Sequence, residues 1–159
     1  MSMINNKGIP MEIAKILRII GSKKCLERAE ILEDESFSMS SLNLRDLGLN
    51  SSNIKFIAGC LKQEKERNTD FLKSVSFSYN YHLGDLGVIA LIRNLPTSIC
   101  EIGLVDCGIS DIGGIEILSW MRDSPMLQMI CMEQNNFSAE LRLKFKKFSA
   151  SNPHVLVVY

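Results

Sequence analysis

The stretch "ICEIGLVDCGISDIGG", residues 99 to 114, decides how this chain is read. Its apolar side chains fall at 99, 102, 104, 109 and 112, an order that fits neither a helical stripe nor a clean strand alternation. A second stretch, "LQMICMEQNNFSAEL" from 127 to 141, sets Leu127, Ile130, Met132, Asn135, Phe137 and Leu141 at the same intervals. Recurrence at fixed spacing marks a repeat, and a missed repeat misassigns the whole fold. Four copies align: Leu42, Leu44, Leu47, Leu49; Val75, Phe77, Asn80, Leu83; Ile102, Leu104, Cys107, Ile109; and Ile130, Met132, Asn135, Phe137. Met39, Leu72, Ile99 and Leu127 each lie three residues upstream. The copies begin at 42, 75, 102 and 130, periods of 33, 27 and 28, the first lengthened by the charged insertion "KQEKERNTD" at 62 to 70.

Within each copy the first two apolar residues, such as 102 and 104, point inward from a β-strand while their neighbours point outward. The chain then turns and returns as a helix, with Ile57 and Leu61, Leu91 and Leu95, or Ile117 and Met121 on its inner face. The side-chain amides of Asn80 and Asn135 are placed to satisfy backbone groups buried in the turn, which makes both residues structural. Gly87 and Gly113, lacking a Cβ, let a helix start lie close to the adjacent coil.

These residues resemble the leucine-rich repeats of the ribonuclease-inhibitor type, whose pattern is L-x-x-L-x-L-x-x-N/C-x-L followed by a helix that begins near a glycine. The copy "LKSVSFSYNYHLGDLGVIALIRNL", 72 to 95, carries the likeness best, and the resemblance covers about 39 to 149. The family alternates asparagine and cysteine at the position of Leu47, Asn80, Cys107 and Asn135, so only Leu47 departs. Tyr81 and His82 add one residue before Leu83, and the fourth copy lacks the helix glycine. The resemblance implies an α/β fold, a short right-handed solenoid or horseshoe arc, with a parallel sheet on the concave side and helices on the convex side. It also implies a protein partner, such as an enzyme, an actin-type assembly protein, or a host protein if the owner is a bacterial effector.

A repeat array must cover its ends. In "IPMEIAKILRIIG", Pro10 stands near a helix start, Ile13, Ile16, Leu17 and Ile20 share a face, and Gly21 is the stop. Ser22 is placed to cap a second helix, "KKCLERAEILEDES". The expected organisation is a single domain over 1–159: a helical N-terminal cap at 1–36, four repeats at 37–149, and a capping strand at 150–159 with Val155 and Val157 inward. Asn152 and Pro153 end the last helix ahead of that strand, and the chain reads as complete.

Composition narrows the function. A chain of 159 residues, 46% hydrophobic and 23% charged, suits one globular domain. Lys plus Arg equal Asp plus Glu at 18 each, and no basic run carries interleaved aromatics, which argues against nucleic acid. Lys15 and Arg18 interrupt the apolar run Ile13 to Ile20, so neither a signal peptide nor a membrane span is expected. The five cysteines, at 25, 60, 100, 107 and 131, form no C-x-x-C pair and read as free thiols of a cytoplasmic protein, or of a host cytosol for a secreted effector.

Chemistry is sparse. The only histidines are His82, in the irregular turn, and His154, before the last strand, and neither sits in a catalytic motif. "GDLG" and "DIGG" are helix-start glycines by their register, not phosphate loops. No enzyme, cofactor or metal is expected; turnover abolished by changing Glu101 or Glu133 would reverse that expectation.

The outward strand residues form the candidate surface: Ser41, Asn43 and Arg45; Ser74, Ser76 and Ser78; Glu101, Gly103 and Val105; Met129, Cys131 and Glu133. Arg45, Ser76, Ser78, Glu101, Gly103, Val105, Met129, Cys131 and Glu133 are the expected partner-binding residues. Gly103, Val105, Met129 and Cys131 make an unusually small, apolar column for exposed positions. Four strands at about 4.8 Å spacing give only a few hundred Å², against roughly 800 Å² per side for a standard interface. Either affinity is modest, or the edges contribute through the 62–70 insertion, Tyr79, Tyr81, Asp46, Asp106 and Gln134; the insertion by itself reads more as solvated helix end and loop. Cys107 is expected in the core and Cys131 outward, the thiol to test for reactivity. The expected function is non-catalytic protein binding by a chain that is monomeric when free. The alternative is a permanent structural subunit held through an apolar convex or terminal surface including Trp120 and the last strand, Trp120 being either packing or convex surface.

Overall fold

A computed structural model describes residues 8–68 and 70–159. It is an α/β structure with a five-stranded parallel sheet and six helices among those residues. Two helices come first, α1 (Gly8–Ile20) and α2 (Lys23–Glu33). Strands and helices then alternate: β1 (Ser41–Asn43), α3 (Ser51–Arg67), β2 (Ser74–Ser76), α4 (Gly84–Asn94), β3 (Glu101–Gly103), α5 (Asp111–Arg122), β4 (Met129–Cys131), α6 (Ala139–Ser151) and β5 (Leu156–Val158). The strands pair in chain order, β1-β2-β3-β4-β5.

The register matches the sequence alignment residue for residue. Leu42 lies opposite Val75, Val75 opposite Ile102, Ile102 opposite Ile130, and Ile130 opposite Val157. Every aligned position from Met39 to Phe137 is buried, and the apolar ones join one core with the inner faces of the helices. Because a strand alternates faces, burying this row commits the residues on either side of it to the opposite surface.

Two of the turns carry an asparagine that ties them to the preceding one, as the spacing predicts: Asn80 after β2 and Asn135 after β4. Asn80 Oδ1 accepts the backbone N–H of Leu47 and Leu49 at 3.1 and 2.9 Å, while its Nδ2 donates to the carbonyls of Leu44 and Phe77 at 2.9 and 2.7 Å. Asn135 repeats the set two units on, accepting from Cys107 and Ile109 and donating to Leu104 and Met132. Cys107, with one weak donor, gives its thiol to the Phe77 carbonyl at 3.3 Å.

Two further periodic devices carry no obvious signature in the sequence. Asp46, Tyr79, Asp106 and Gln134, each four residues past the first inward strand residue, adopt left-handed φ values of 56, 64, 49 and 63°. Such a conformation costs a non-glycine residue about 1–3 kcal/mol. It lets the chain dive beneath the sheet while three of these N–H groups still donate to the next unit: Asp46 to Ser78, Tyr79 to Val105, and Asp106 to Glu133. Asp85 at the start of α4 reaches forward to the start of α5, its carboxylate accepting from Ser110 N–H, Ser110 Oγ and Gly113 N–H at 2.8, 2.6 and 2.9 Å. Asp111 does the same for α6, accepting from Ser138 N–H at 2.8 Å. Gly113 is needed for this approach, since a Cβ there would lie 2.6 Å from Asp85 Oδ1 and 2.8 Å from Val88.

Two helices precede β1 in the segment read as the cap, whose first seven positions lie outside the described residues. Gly21, at φ 73°, ends α1, and Ser22 caps α2 by accepting from Cys25 N–H. α1 packs on both α2 and α3. At the other end α6 runs to Ser151, two residues into the segment read as strand, and Asn152 terminates it. Val155 is buried and Val157 half-buried, so the inward pair is placed as predicted. The charged insertion is more engaged than a solvated helix end. Gln63 donates to Glu12 of α1, Lys65 Nζ donates to the Arg93 carbonyl at the end of α4, and Glu64 is buried.

Candidate binding face of the sheet

The surface opposite the core is set by the register. Ser41, Ser74, Glu101, Met129 and Leu156 form one row across the five strands, and Asn43, Ser76, Gly103, Cys131 and Val158 form the next. Arg45, Ser78, Val105 and Glu133 follow at the turn end. The face changes character along these rows. Across β1 and β2 it is hydroxyl and amide; across β3 to β5 it is apolar with two carboxylates.

On the polar half the groups engage one another. The Arg45 guanidinium stacks over the Tyr79 ring at 4.9 Å, a cation–π contact that orients both. Asn43 Oδ1 accepts from Arg45 N–H, and the Ser74 hydroxyl lies 3.4 Å from Glu101 Oε2.

One of the expected binding residues is buried, and a second sits tightly against it. Ser78 was expected to face outward, but it is 5% exposed, and its Oγ accepts the Val105 N–H at 3.1 Å. The hydroxyl replaces a ladder bond where the strands diverge into the turn. Gly103 makes room for it, since a Cβ there would meet Ser78 Oγ at 2.9 Å and Ser76 Oγ at 3.0 Å. Substituting Gly103 therefore disturbs packing as well as the surface. Arg45 and Glu101 are exposed, whereas Ser76, Val105, Met129, Cys131 and Glu133 are half-buried on the face.

Cys131 is the thiol singled out for a reactivity test. Burial, and then the Glu133 and Glu101 carboxylates, hold its thiol above the ordinary range, which lowers its thiolate fraction. Cys107 is in the core as predicted, where burial pushes it up to about 12, and burial together with Glu12 pushes Cys60 up to about 11.

β5 widens the face, because Val155 and Val157 inward commit Leu156 and Val158 outward. Leu156 is 57% exposed and continues the apolar row past Met129. On the helical side, Leu86 and Ile112 occupy the same place on α4 and α5, and Ile115 and Leu143 the same place on α5 and α6; each is more than half exposed. Their apolar character matches that of core positions in a sequence pattern, so only the packing reveals them. Trp120, by contrast, packs partly against the core.

A hollow of about 380 Å³ beside Pro10, Leu32, Phe37 and Phe71 lies at the cap, away from this face. Among the described residues, no three His, Cys, Asp or Glu side chains cluster as metal ligands, and no helix is long and apolar enough to cross a membrane. No protein-family model matches the chain, and no curated protein matches it.

Proposed function

We propose that this chain is a non-catalytic protein-binding module: a leucine-rich-repeat protein of the ribonuclease-inhibitor-like type, curved as a short right-handed solenoid with the sheet on its concave side. It works as an adaptor or effector in a cytoplasm, its own or a host's, and is a monomer when free. The observation that carries the reading is the asymmetry of the sheet. Its inward rows are uniformly apolar, while its outward rows shift from serine and asparagine to Val105, Met129, Cys131, Leu156 and Val158 around two carboxylates. A merely solvated face gains nothing from that shift. Five strands still supply only a few hundred Å², less than the roughly 800 Å² of a standard interface. Tyr79 and Tyr81, 40% and 59% exposed at the turn end, are placed to add aromatic contact area.

The row Leu86, Ile112, Ile115 and Leu143 favours a second reading, a permanent subunit of a larger assembly held by its helical side. Photo-crosslinkers at Met129 and at Ile112, in cells that express the chain, separate the two. A discrete adduct from 129 alone supports the sheet face. An adduct from 112 alone overturns that reading in favour of the subunit.

A further inference from the structure

We infer that the β3–β4 part of the sheet face seats a basic side chain of the partner, its guanidinium or ammonium on the Glu133 carboxylate and its aliphatic stem along Cys131 and Val158. This rests on reading the face as the protein-binding surface and adds the chemistry of what binds there.

Glu133 Oε2 is sealed from solvent and has no hydrogen-bond partner among the described residues. Native folds rarely leave such a group unmatched, and those that do call for a specific cause. No ion pair among the described residues involves Glu133 or Glu101, and Arg45, at the β1 end of the face, is stacked on Tyr79. The free chain thus holds a carboxylate already stripped of part of its hydration. A cation arriving at it displaces less water than at an exposed glutamate, so more of the Coulomb attraction survives as affinity.

Glu101 adds to the same field. It lies opposite Met129, diagonal to Cys131, and Glu133 follows Cys131 by two residues on the same face. Both carboxylates bear on the Cys131 thiol, which places their negative potential over that part of the face. Val158, opposite Cys131, and Val105, beside Glu133, line the approach. An aliphatic stem ending in a cation fits that order of surfaces, as lysine and arginine stems do over apolar ground. An acidic or wholly apolar residue would leave Glu133 opposed or unmatched.

The test is a titration of the ¹⁵N-labelled full chain with the peptide acetyl-Gly-Leu-Arg-Leu-Gly-amide and with its citrulline counterpart, which keeps shape and removes charge. The expected result is shifts at the amides of 103, 105, 131 and 133, with the citrulline peptide at least about tenfold weaker, as losing one charge-assisted hydrogen bond implies. Glu133→Gln should weaken the arginine peptide by the same factor and leave amide signals elsewhere unmoved. Equal binding of the two peptides on this face overturns the inference while the binding face itself stands. Shifts confined to the acidic cap around Glu33 to Glu35, or an unchanged affinity in Glu133→Gln, overturn it as well. Failure of the face reading is read separately, from the crosslinks at 129 and 112.

Discussion

Asn80 and Glu133 are polar side chains on adjoining sides of the same sheet, and the fold treats them oppositely. Asn80 is fully buried and makes four hydrogen bonds to four backbone groups of two successive units. Glu133 is half-buried and keeps one carboxylate oxygen sealed with no partner. On the turn side, polar groups serve the fold and are matched to capacity. On the outward side, one carboxylate oxygen has no hydrogen-bond partner among the described residues.

The largest effect should come from breaking the matched side. Asn80→Ala strands two N–H groups and two carbonyls in the core and should cost about 3–5 kcal/mol in denaturant unfolding. Asn135→Ala should cost a similar amount, because it repeats the geometry between Leu104 and Ile109. A loss under about 1 kcal/mol would mean that water or relaxation replaces the asparagine. Next comes the forward staple: Asp85→Ala removes three acceptor contacts at the start of α5 and should cost about 1–2 kcal/mol by the same measurement.

Asp111 tests the staple through pH. The Ser138 hydrogen bond holds its carboxyl below the ordinary value of 3.8. Ionised Asp111 therefore contributes stability that is present above pH about 4 and lost as the pH falls through the lowered folded-state value. Asp111→Asn should flatten the dependence of Tm on pH over that window and leave it unchanged near neutrality. Smallest of all should be changes on the polar half of the face: Ser76→Ala should alter stability by no more than about 0.5 kcal/mol. Alkylation should then order the thiols, with Cys131 slow, because burial and two carboxylates raise it, and Cys107 slower still.

How far the sequence reached follows the same division. Inward rows were legible because hydrophobic burial imposes one residue class at every aligned position, from Leu42 to Ile130. The asparagines were legible because few side chains can donate and accept in one turn. The left-handed turns at Asp46, Tyr79, Asp106 and Gln134 were not, since three different residue types share one backbone conformation over these four positions. Nor were the staples, because an aspartate at a helix start reads as an ordinary first-turn acid until the neighbouring helix is placed beside it. On the face, strand alternation identified the outward residues but not their depth. Ser78 alternates outward and is nonetheless buried, because Gly103 beside it leaves room for its hydroxyl. The helical-side row from Leu86 to Leu143 escaped because exposed and core leucines are the same letter.

One pair of melting curves tests the contrast between the two sides most directly: Asn80→Ala and Glu133→Gln, each against the parent chain at neutral pH. The account predicts shifts of opposite sign, a large fall in Tm for Asn80→Ala and a rise of about 2–4 °C for Glu133→Gln, which relieves a desolvated charge of up to roughly 1 kcal/mol. A fall in both would show that Glu133 supports the fold as Asn80 does, and would contradict the assignment of its carboxylate to a partner.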